Sequence, residues 1–147
     1  MPSSALSRFN GRWVNIYSEN FSEYMTEAGV DLCTRIDAGL VTITFEMRVE
    51  GTTFECTTHT SFKTSAITFT LDEEFDEMRA DGKMFRSIVT EHSDGKLIHY
   101  QNKVDPNDKN SIITRYLEDD ETLIILVQAG DVTCGRVYKR EKYEDAT

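Results

Sequence analysis

Alternation of apolar and polar residues runs through most of the chain after Leu40. Short segments with this period of two are separated by turns rich in glycine and aspartate, which is typical of antiparallel strands joined by hairpins. An earlier segment, Gly11–Ser18, has the same character and predicts a first strand. The pattern predicts ten strands in all, and the other nine are Val41–Glu50, Thr52–Ser61, Ser65–Leu71, Glu74–Arg79, Met84–His92, Lys96–Lys103, Ser111–Leu117, Thr122–Gln128 and Val132–Arg140.

Between the first two strands the period changes to that of a helix. Asn20 predicts a helix N-cap, and Glu23 three residues later completes a capping-box pattern. A second short helix is predicted between Asp31 and Gly39, so the helical region covers about residues 20–38. Because such short helices are marginal alone, they must pack on the sheet. The first helix would do so through an apolar stripe of Phe21, Tyr24, Met25 and Ala28.

A meander of ten antiparallel strands exposes two long edges unless it closes on itself. We therefore predict an all-β fold, a ten-stranded antiparallel up-and-down β-barrel of the clam type, capped by a helix-turn-helix lid. One domain would span residues 1–147, with frayed tails at about 1–5 and 141–147. Ten strands leave room for a ligand. The predicted lining mixes apolar and polar residues: Phe62, Phe69, Ile88, Leu97, His99, Gln101, Arg115, Arg136 and Tyr138.

Two arginines stand where the alternation predicts interior residues. Arg115 shares a strand face with Ile113 and Leu117, and Arg136 shares one with Tyr138. A buried guanidinium is costly unless an anion or ordered acceptors meet it. Arg115, Arg136 and Tyr138 together therefore predict a binding site for a carboxylate. The alternative is that one or both arginines pair with the chain's own aspartates or glutamates.

Composition excludes several classes of function. The net charge of −10, from 16 basic and 26 acidic residues, argues against nucleic acid as a partner and predicts at most transient contact with anionic membranes. Three cysteines without a CxxC spacing favour a reducing, cytoplasmic compartment, and no secretory signal or membrane-spanning run is recognisable. No catalytic, phosphate-binding or metal-binding motif stands out, so we expect no enzyme activity, cofactor or metal.

Several segments in order carry a resemblance to a known family. They are Gly11-Arg12-Trp13, Asn20-Phe21-Ser22-Glu23-Tyr24-Met25, Thr57-Thr58-His59-Thr60-Ser61-Phe62-Lys63, Asp94-Gly95-Lys96-Leu97-Ile98-His99-Tyr100-Gln101 and Cys134-Gly135-Arg136-Val137-Tyr138. Over almost its whole length the chain resembles the intracellular lipid-binding proteins, the cytosolic fatty acid-binding protein family. The complete set of two arginines and a tyrosine is most similar to the heart, adipocyte and myelin types.

The resemblance implies a slightly flattened, lipocalin-like barrel with a gap between the fourth and fifth strands near Glu77–Met84. It implies a monomeric carrier that binds a long-chain fatty acid, with the carboxylate on Arg136 and Tyr138 and on Arg115 directly or through water. Retinol is disfavoured, because retinol carriers have glutamine at the arginine positions, whereas retinoic acid or another acidic lipid stays open. Nuclear entry also stays open.

Five further residues are candidates for the ligand's tail or the portal: Phe21, Tyr24, Met25, Phe62 and Gln101. For the three helical residues the alternative is packing of the helix on the barrel, and for Gln101 it is structural hydrogen bonding.

Some segments depart from the family pattern. The loop over Lys103–Lys109 is about three residues longer than usual, and its Asp105–Asp108 stretch is predicted to be exposed. Glu19, Glu23, Glu27 and Asp31 repeat every four residues and predict an acidic ridge on the lid. This ridge suggests a second class of function, in which the barrel is a scaffold that recruits a basic protein partner.

Overall fold

The computed structural model describes residues 6–28, 43–59, 64–79 and 82–141. Ten strands form one antiparallel sheet that curls into a nearly closed barrel. Strands that are neighbours in sequence pair with each other, except β4 and β5, and β1 also pairs with β10. The predicted all-β meander is therefore confirmed, with the ends shifted by a few residues. The strands are β1 Gly11–Glu19, β2 Thr44–Glu50, β3 Thr53–His59, β4 Thr64–Thr70, β5 Phe75–Met78, β6 Met84–Glu91, β7 Leu97–Lys103, β8 Ser111–Asp119, β9 Thr122–Ala129 and β10 Val132–Arg140.

The barrel is interrupted between β4 and β5, which are the two edges of the sheet. The expected gap between the fourth and fifth strands is confirmed. Side chains bridge it, since Phe69 of β4 stacks on Phe75 of β5 with ring centroids 5.5 Å apart. Stacked aromatic rings bury large apolar areas, so they hold the edges together without a hydrogen-bond ladder.

A short 3₁₀ helix, Leu6–Phe9, supports the core next to the first strand. Leu6 and Phe9 are buried, and Trp13 of β1 is fully buried beside them. The indole Nε1 of Trp13 donates a hydrogen bond to the carbonyl of Phe9 at 3.1 Å. This contact satisfies the polar atom of the ring and anchors the 3₁₀ helix to the core.

One α-helix, α1 (Phe21–Glu27), follows β1. It begins where the sequence predicts, but the predicted capping box is wrong. Asn20 has left-handed backbone geometry with φ of 59° and makes no side-chain cap. Its amide nitrogen instead donates to the carbonyl of Thr133 at 3.3 Å, because β10 lies within reach. No helix in the described part of the chain is long and apolar enough to cross a membrane.

The rest of the predicted lid lies outside the described residues. The second helix, predicted between Asp31 and Gly39, falls there, as do Phe62, Cys33, the predicted tail over 1–5 and residues 142–147 of the predicted tail over 141–147. Of the predicted helix-turn-helix, the structure therefore describes the first helix, α1.

A bulge in β1 changes which of its residues face the barrel interior. The pairing with β10 shifts between Asn15 and Tyr17, so that Tyr17 pairs with Val137 and Ser18 pairs with Arg136. Tyr17 is 56% exposed, although simple alternation along β1 would place it on the same face as the buried Trp13. An extra residue in one strand reverses the alternation beyond it.

The prediction for Ile88 is also wrong. Alternation in β6 buries Phe85, Ser87 and Val89 and leaves Ile88 half-buried on the other face. Both faces of this strand carry apolar residues, so the sequence alone left its phase ambiguous. Pairing of Val89 with His99 decides the phase.

Candidate functional site

The two arginines face the barrel interior on one row of the sheet. Arg115 of β8 pairs with Ile125 of β9, and Ile125 pairs with Arg136 of β10. Two strand spacings separate their Cα atoms by roughly 10 Å. Arg115 is 7% exposed and Arg136 is half-buried. Their predicted orientation is confirmed, whereas their role toward a ligand stays a prediction.

Arg136 contacts the tyrosine that the sequence groups with it. Its Nη1 donates to the Tyr138 hydroxyl at 3.3 Å, and Tyr138 is buried. Phe45 lies near Tyr138 and near Arg115. Its ring centroid is 6.3 Å from that of Tyr138 and 6.0 Å from the guanidinium carbon of Arg115. The ring of Phe45 therefore lies close to both Tyr138 and Arg115, while Arg136 contacts Tyr138 directly.

Arg115 is joined to a buried carboxylate through a histidine. Its Nη1 lies 2.9 Å from Nδ1 of His99, and His99 Nε2 lies 2.8 Å from Oε1 of Glu77. Ser87 donates to the same carboxylate oxygen at 2.9 Å, and Gln101 Nε2 donates to Oε2 at 3.0 Å. Glu77 is thus a buried carboxylate that is hydrogen-bonded to Ser87, His99 and Gln101. It is linked to Arg115 through His99.

Sequence reasoning missed Glu77 as an interior residue. Alternation in the short strand β5 places Phe75 and Glu77 on one face, and Phe75 points toward the aromatic core. This signal was available, but four residues are too few for a periodic pattern to outweigh the expectation that a glutamate is exposed. Pairing with β6 and the polar residues of β7 determine its burial.

The hydrogen bonds assign His99 as a neutral ring. An ionised Glu77 accepts, so Nε2 carries the proton, and Nδ1 must accept from the guanidinium of Arg115. Burial lowers the pKa of His99, the hydrogen bond with Glu77 opposes this, and the positive charge of Arg115 lowers it further. The net pKa of His99 lies below its ordinary value.

Glu77 is held as a carboxylate by the same contacts. Burial alone would raise its pKa, but the hydrogen bonds from His99 and Ser87 and the positive charge of Arg115 outweigh burial. The pKa of Glu77 therefore lies below its ordinary value. The chain Glu77–His99–Arg115 contains one negative charge, one neutral ring and one positive charge.

Stability is expected to fall as the solution is acidified. Below pH 6.5, the ordinary pKa of histidine, the unfolded chain takes up the proton of His99 before the folded chain does. Below 4.5 Glu77 acts in the same direction, because its folded pKa is also lowered. Urea unfolding at a series of pH values should show the free energy of unfolding decreasing by at most about 1.4 kcal/mol per pH unit for the His99 proton.

Two histidine variants separate this effect from general acid sensitivity. His99→Gln should lose the slope between about pH 7 and pH 5.5, whatever its absolute stability. The matched control His92→Gln, at an exposed position, should retain it. An unchanged slope in His99→Gln would show that His99 does not titrate differently on folding.

The remaining candidates divide between packing and hydrogen bonding. Tyr24 and Met25 pack with Ala28 against Ala129 and Cys134, which is the packing alternative given for the helix. Gln101 is 4% exposed and its nitrogen is engaged by Glu77, so structural hydrogen bonding is present there. The side chain of Phe21 and the whole of Phe62 lie outside the described residues.

Two contacts connect the end of α1 to neighbouring hairpins, and a third joins two of the hairpins to each other. Arg79 Nη2 donates to the carbonyl of Ala28 at 3.1 Å, and Lys109 Nζ lies 2.5 Å from Glu27. Lys83 pairs with Asp108 at 3.1 Å. The long loop after β7 was predicted to be exposed, and this is wrong at Asp108, which is 9% exposed because it receives Lys83.

Comparisons with known proteins point to one family. Residues 10–141 match the lipocalin / cytosolic fatty-acid binding protein family. The chain is 45% identical over 133 residues to fatty acid-binding protein homolog 6 of Caenorhabditis elegans, which covers 90% of this chain and 97% of the relative. It is 36% identical over 138 residues to human cellular retinoic acid-binding protein 2, covering 92% and 100% of the two chains.

A solved structure agrees with these relatives. The Schistosoma mansoni fatty acid binding protein in complex with arachidonic acid has a TM-score of 0.86 at 36% identity. The match covers 95% of this chain and 100% of that chain. Similarity in both sequence and fold thus extends over nearly the full length.

Proposed function

Because the chain belongs to the lipocalin / cytosolic fatty-acid binding protein family, we propose that it is a carrier, not an enzyme, which reversibly binds one long-chain fatty acid inside the barrel. The observation that carries the proposal is the placement of Arg115 and Arg136 on one inner row, with Tyr138 bonded to Arg136. A carboxylate on this row would accept charge-assisted hydrogen bonds in a space where water competes poorly.

Each polar residue has a distinct part in this carrier. Arg136 and the hydroxyl of Tyr138 would hold the carboxylate directly. Arg115 would contribute directly or through a water, since its Nη1 is already directed to His99 while its buried Nε has no hydrogen-bond partner in the described part of the chain. The apolar interior around Phe45, Ile113 and Ile125 would receive the tail.

Charge in the interior supports an acidic ligand. The Glu77–His99–Arg115 chain is neutral as a unit, because one carboxylate accompanies one guanidinium. Arg136 lies two strands away from Arg115 on the same inner row. A carboxylate bound beside the two guanidinium groups would gain charge-assisted hydrogen bonds that a neutral lipid cannot form.

Retinoic acid is a second candidate ligand. The similarity to a protein named cellular retinoic acid-binding protein favours it, and its carboxylate would use the same arginines. The relative with bound arachidonic acid favours a fatty acid. Competition between the two acids for the one site, measured by displacement, ranks them directly.

The scaffold alternative receives less support from the contacts of the lid. Glu27, a member of the acidic ridge, is paired with Lys109 of the same chain, so the ridge is partly neutralised. The carrier would act as a monomer in the cytoplasm, with transient contact at most to membranes. Nuclear entry belongs to the same proposal.

A displacement titration with a fluorescent fatty acid tests the carrier function. The double variant Arg115→Gln/Arg136→Gln should bind oleic acid about a hundredfold more weakly than wild type, since two charge-assisted contacts are removed. The control Arg48→Gln changes an exposed arginine on the outer face of β2 and should bind as wild type does.

Two results would overturn parts of this proposal. Unchanged affinity in a folded double variant would discard the carboxylate mechanism. Failure of the delipidated wild-type protein to bind either fatty acid or retinoic acid would discard the carrier function and favour the scaffold.

A further inference from the structure

A second group of polar side chains lies on the inner face, away from the arginine row. Gln101 of β7 and Ser111 of β8 are directly paired, and they are 4% and 1% exposed. Gln101 Oε1 and Ser111 Oγ have no hydrogen-bond partner among residues 6–28, 43–59, 64–79 and 82–141. The Tyr24 hydroxyl approaches Ser111 from α1 without completing a hydrogen bond to it. We call Gln101, Ser111 and Tyr24 the polar strip.

The orientation of the Gln101 amide is determined by its neighbour. Its Nε2 donates to the ionised carboxylate of Glu77 at 3.0 Å. Turning the amide over would place Oε1 against the carboxylate oxygen, where two acceptors would repel. Oε1 is therefore held as an acceptor, and a buried acceptor without a partner is unfavourable.

The polar strip lies at a defined distance from the arginines. Ser111 and Arg115 are four residues apart on the inner face of β8, which corresponds to roughly 13 Å along the strand. Ile113 lies between them and is buried and apolar. On its other side Ser111 pairs with Ala129, which packs against Tyr24. The strip thus lies on the α1 side of the arginine row.

Resting on the proposed carrier function, we propose that the polar strip selects long-chain fatty acids that carry a hydroxyl group near the middle of the chain. The ligand's hydroxyl donates its hydrogen to Gln101 Oε1. The oxygen of the same hydroxyl accepts from Ser111 Oγ. One hydroxyl therefore satisfies two buried groups that a methylene group leaves unpaired.

The expected discrimination has a physical basis in the unpaired groups. Sites built to hydrogen-bond a hydroxyl reject an analogue without it, because their own buried polar atoms then have no partner. Ricinoleic acid and oleic acid differ in one mid-chain hydroxyl and form a matched pair. Wild-type protein should bind ricinoleic acid about tenfold more tightly than oleic acid.

Variants assign the preference to the polar strip. Gln101→Leu should bring the ratio of the two affinities close to one, and Ser111→Ala should reduce it. The control Gln128→Leu, at an exposed glutamine of β9, should leave the ratio unchanged. An α-hydroxy acid, whose hydroxyl is next to the carboxylate, should gain nothing over its parent acid.

The outcomes separate this inference from the carrier function. If oleic acid binds in an arginine-dependent manner but ricinoleic acid binds no better, the polar strip is not a recognition site and the carrier function stands. A preference that persists in both Gln101→Leu and Ser111→Ala would also overturn the inference. If neither acid binds, the carrier function fails first. The wild-type ratio needs no variant, so a misfolded Gln101→Leu protein does not prevent the test.

Discussion

Glu77→Ala is expected to lower the free energy of unfolding by about 3–5 kcal/mol. The substitution removes the acceptor that Ser87, His99 and Gln101 share. It also leaves the guanidinium of Arg115 in the interior without the negative charge that accompanies it. Losing one partner of a buried charged network costs more than the network itself contributes, because desolvation of the remaining groups is no longer offset.

Urea unfolding measures the free energy of unfolding of Glu77→Ala and wild type, first without and then with oleic acid. A bound carboxylate restores a negative charge to the interior, so the fatty acid should raise the free energy of unfolding more in Glu77→Ala than in wild type. The control Glu55→Ala changes an exposed glutamate of β3 and should shift stability by no more than about 0.5 kcal/mol. A Glu77→Ala protein as stable as wild type would contradict the assignment of Glu77 as an ionised, buried group.

Trp13→Ala is expected to cost about 3–5 kcal/mol of stability. The ring is fully buried and its Nε1 donates to the carbonyl of Phe9. The Arg140 guanidinium lies 4.2 Å from the ring centroid, so the ring also supports the last residue of β10. Because Trp13 pairs with Phe45 on one side and Arg140 on the other, the resulting cavity would lie where the first and last strands meet.

A second substitution at this position separates volume from hydrogen bonding. Trp13→Phe keeps most of the apolar contact and loses the indole N–H, so its destabilisation should be smaller than that of Trp13→Ala. Tyr17→Ala, at an exposed position of the same strand, should lose far less than either. Equal effects at Trp13 and Tyr17 in denaturant unfolding would refute the placement of the bulge that separates their environments.

The bulge shows where a periodic pattern stops being informative. Asn15 Nδ2 donates to the carbonyls of Tyr17 and Val137, and Ser18 donates to Asn15 Oδ1. These contacts support the extra residue in β1 and turn Ser18, instead of Tyr17, toward the row of Arg136. The sequence of β1 does not reveal this irregularity, because a bulge is defined by how a strand pairs with its partner strand.

The buried polar residues of the barrel also show how far a periodic pattern can predict structure. His99, Gln101 and Arg115 could be assigned to the inner face because β7 and β8 are long enough to establish their phase. Their partners could not be assigned, because Glu77 comes from a strand of four residues and Ser87 from a strand with apolar residues on both faces. The link from Arg115 through His99 to Glu77 depends on contacts between residues 16 and 22 positions apart.

The amino-acid sequence alone determined the ten strands, their order, the start of the first helix and the inward orientation of both arginines. These features follow from local periodicity and turn chemistry, which act over a few residues. Tertiary structure alone decided the neutral state of His99, the burial of Glu77, the left-handed Asn20, the bulge after Asn15 and the burial of Asp108. Each of these depends on a group supplied by a distant strand or loop, and a hydrogen bond or ion pair exists only once the barrel has brought its two partners within reach.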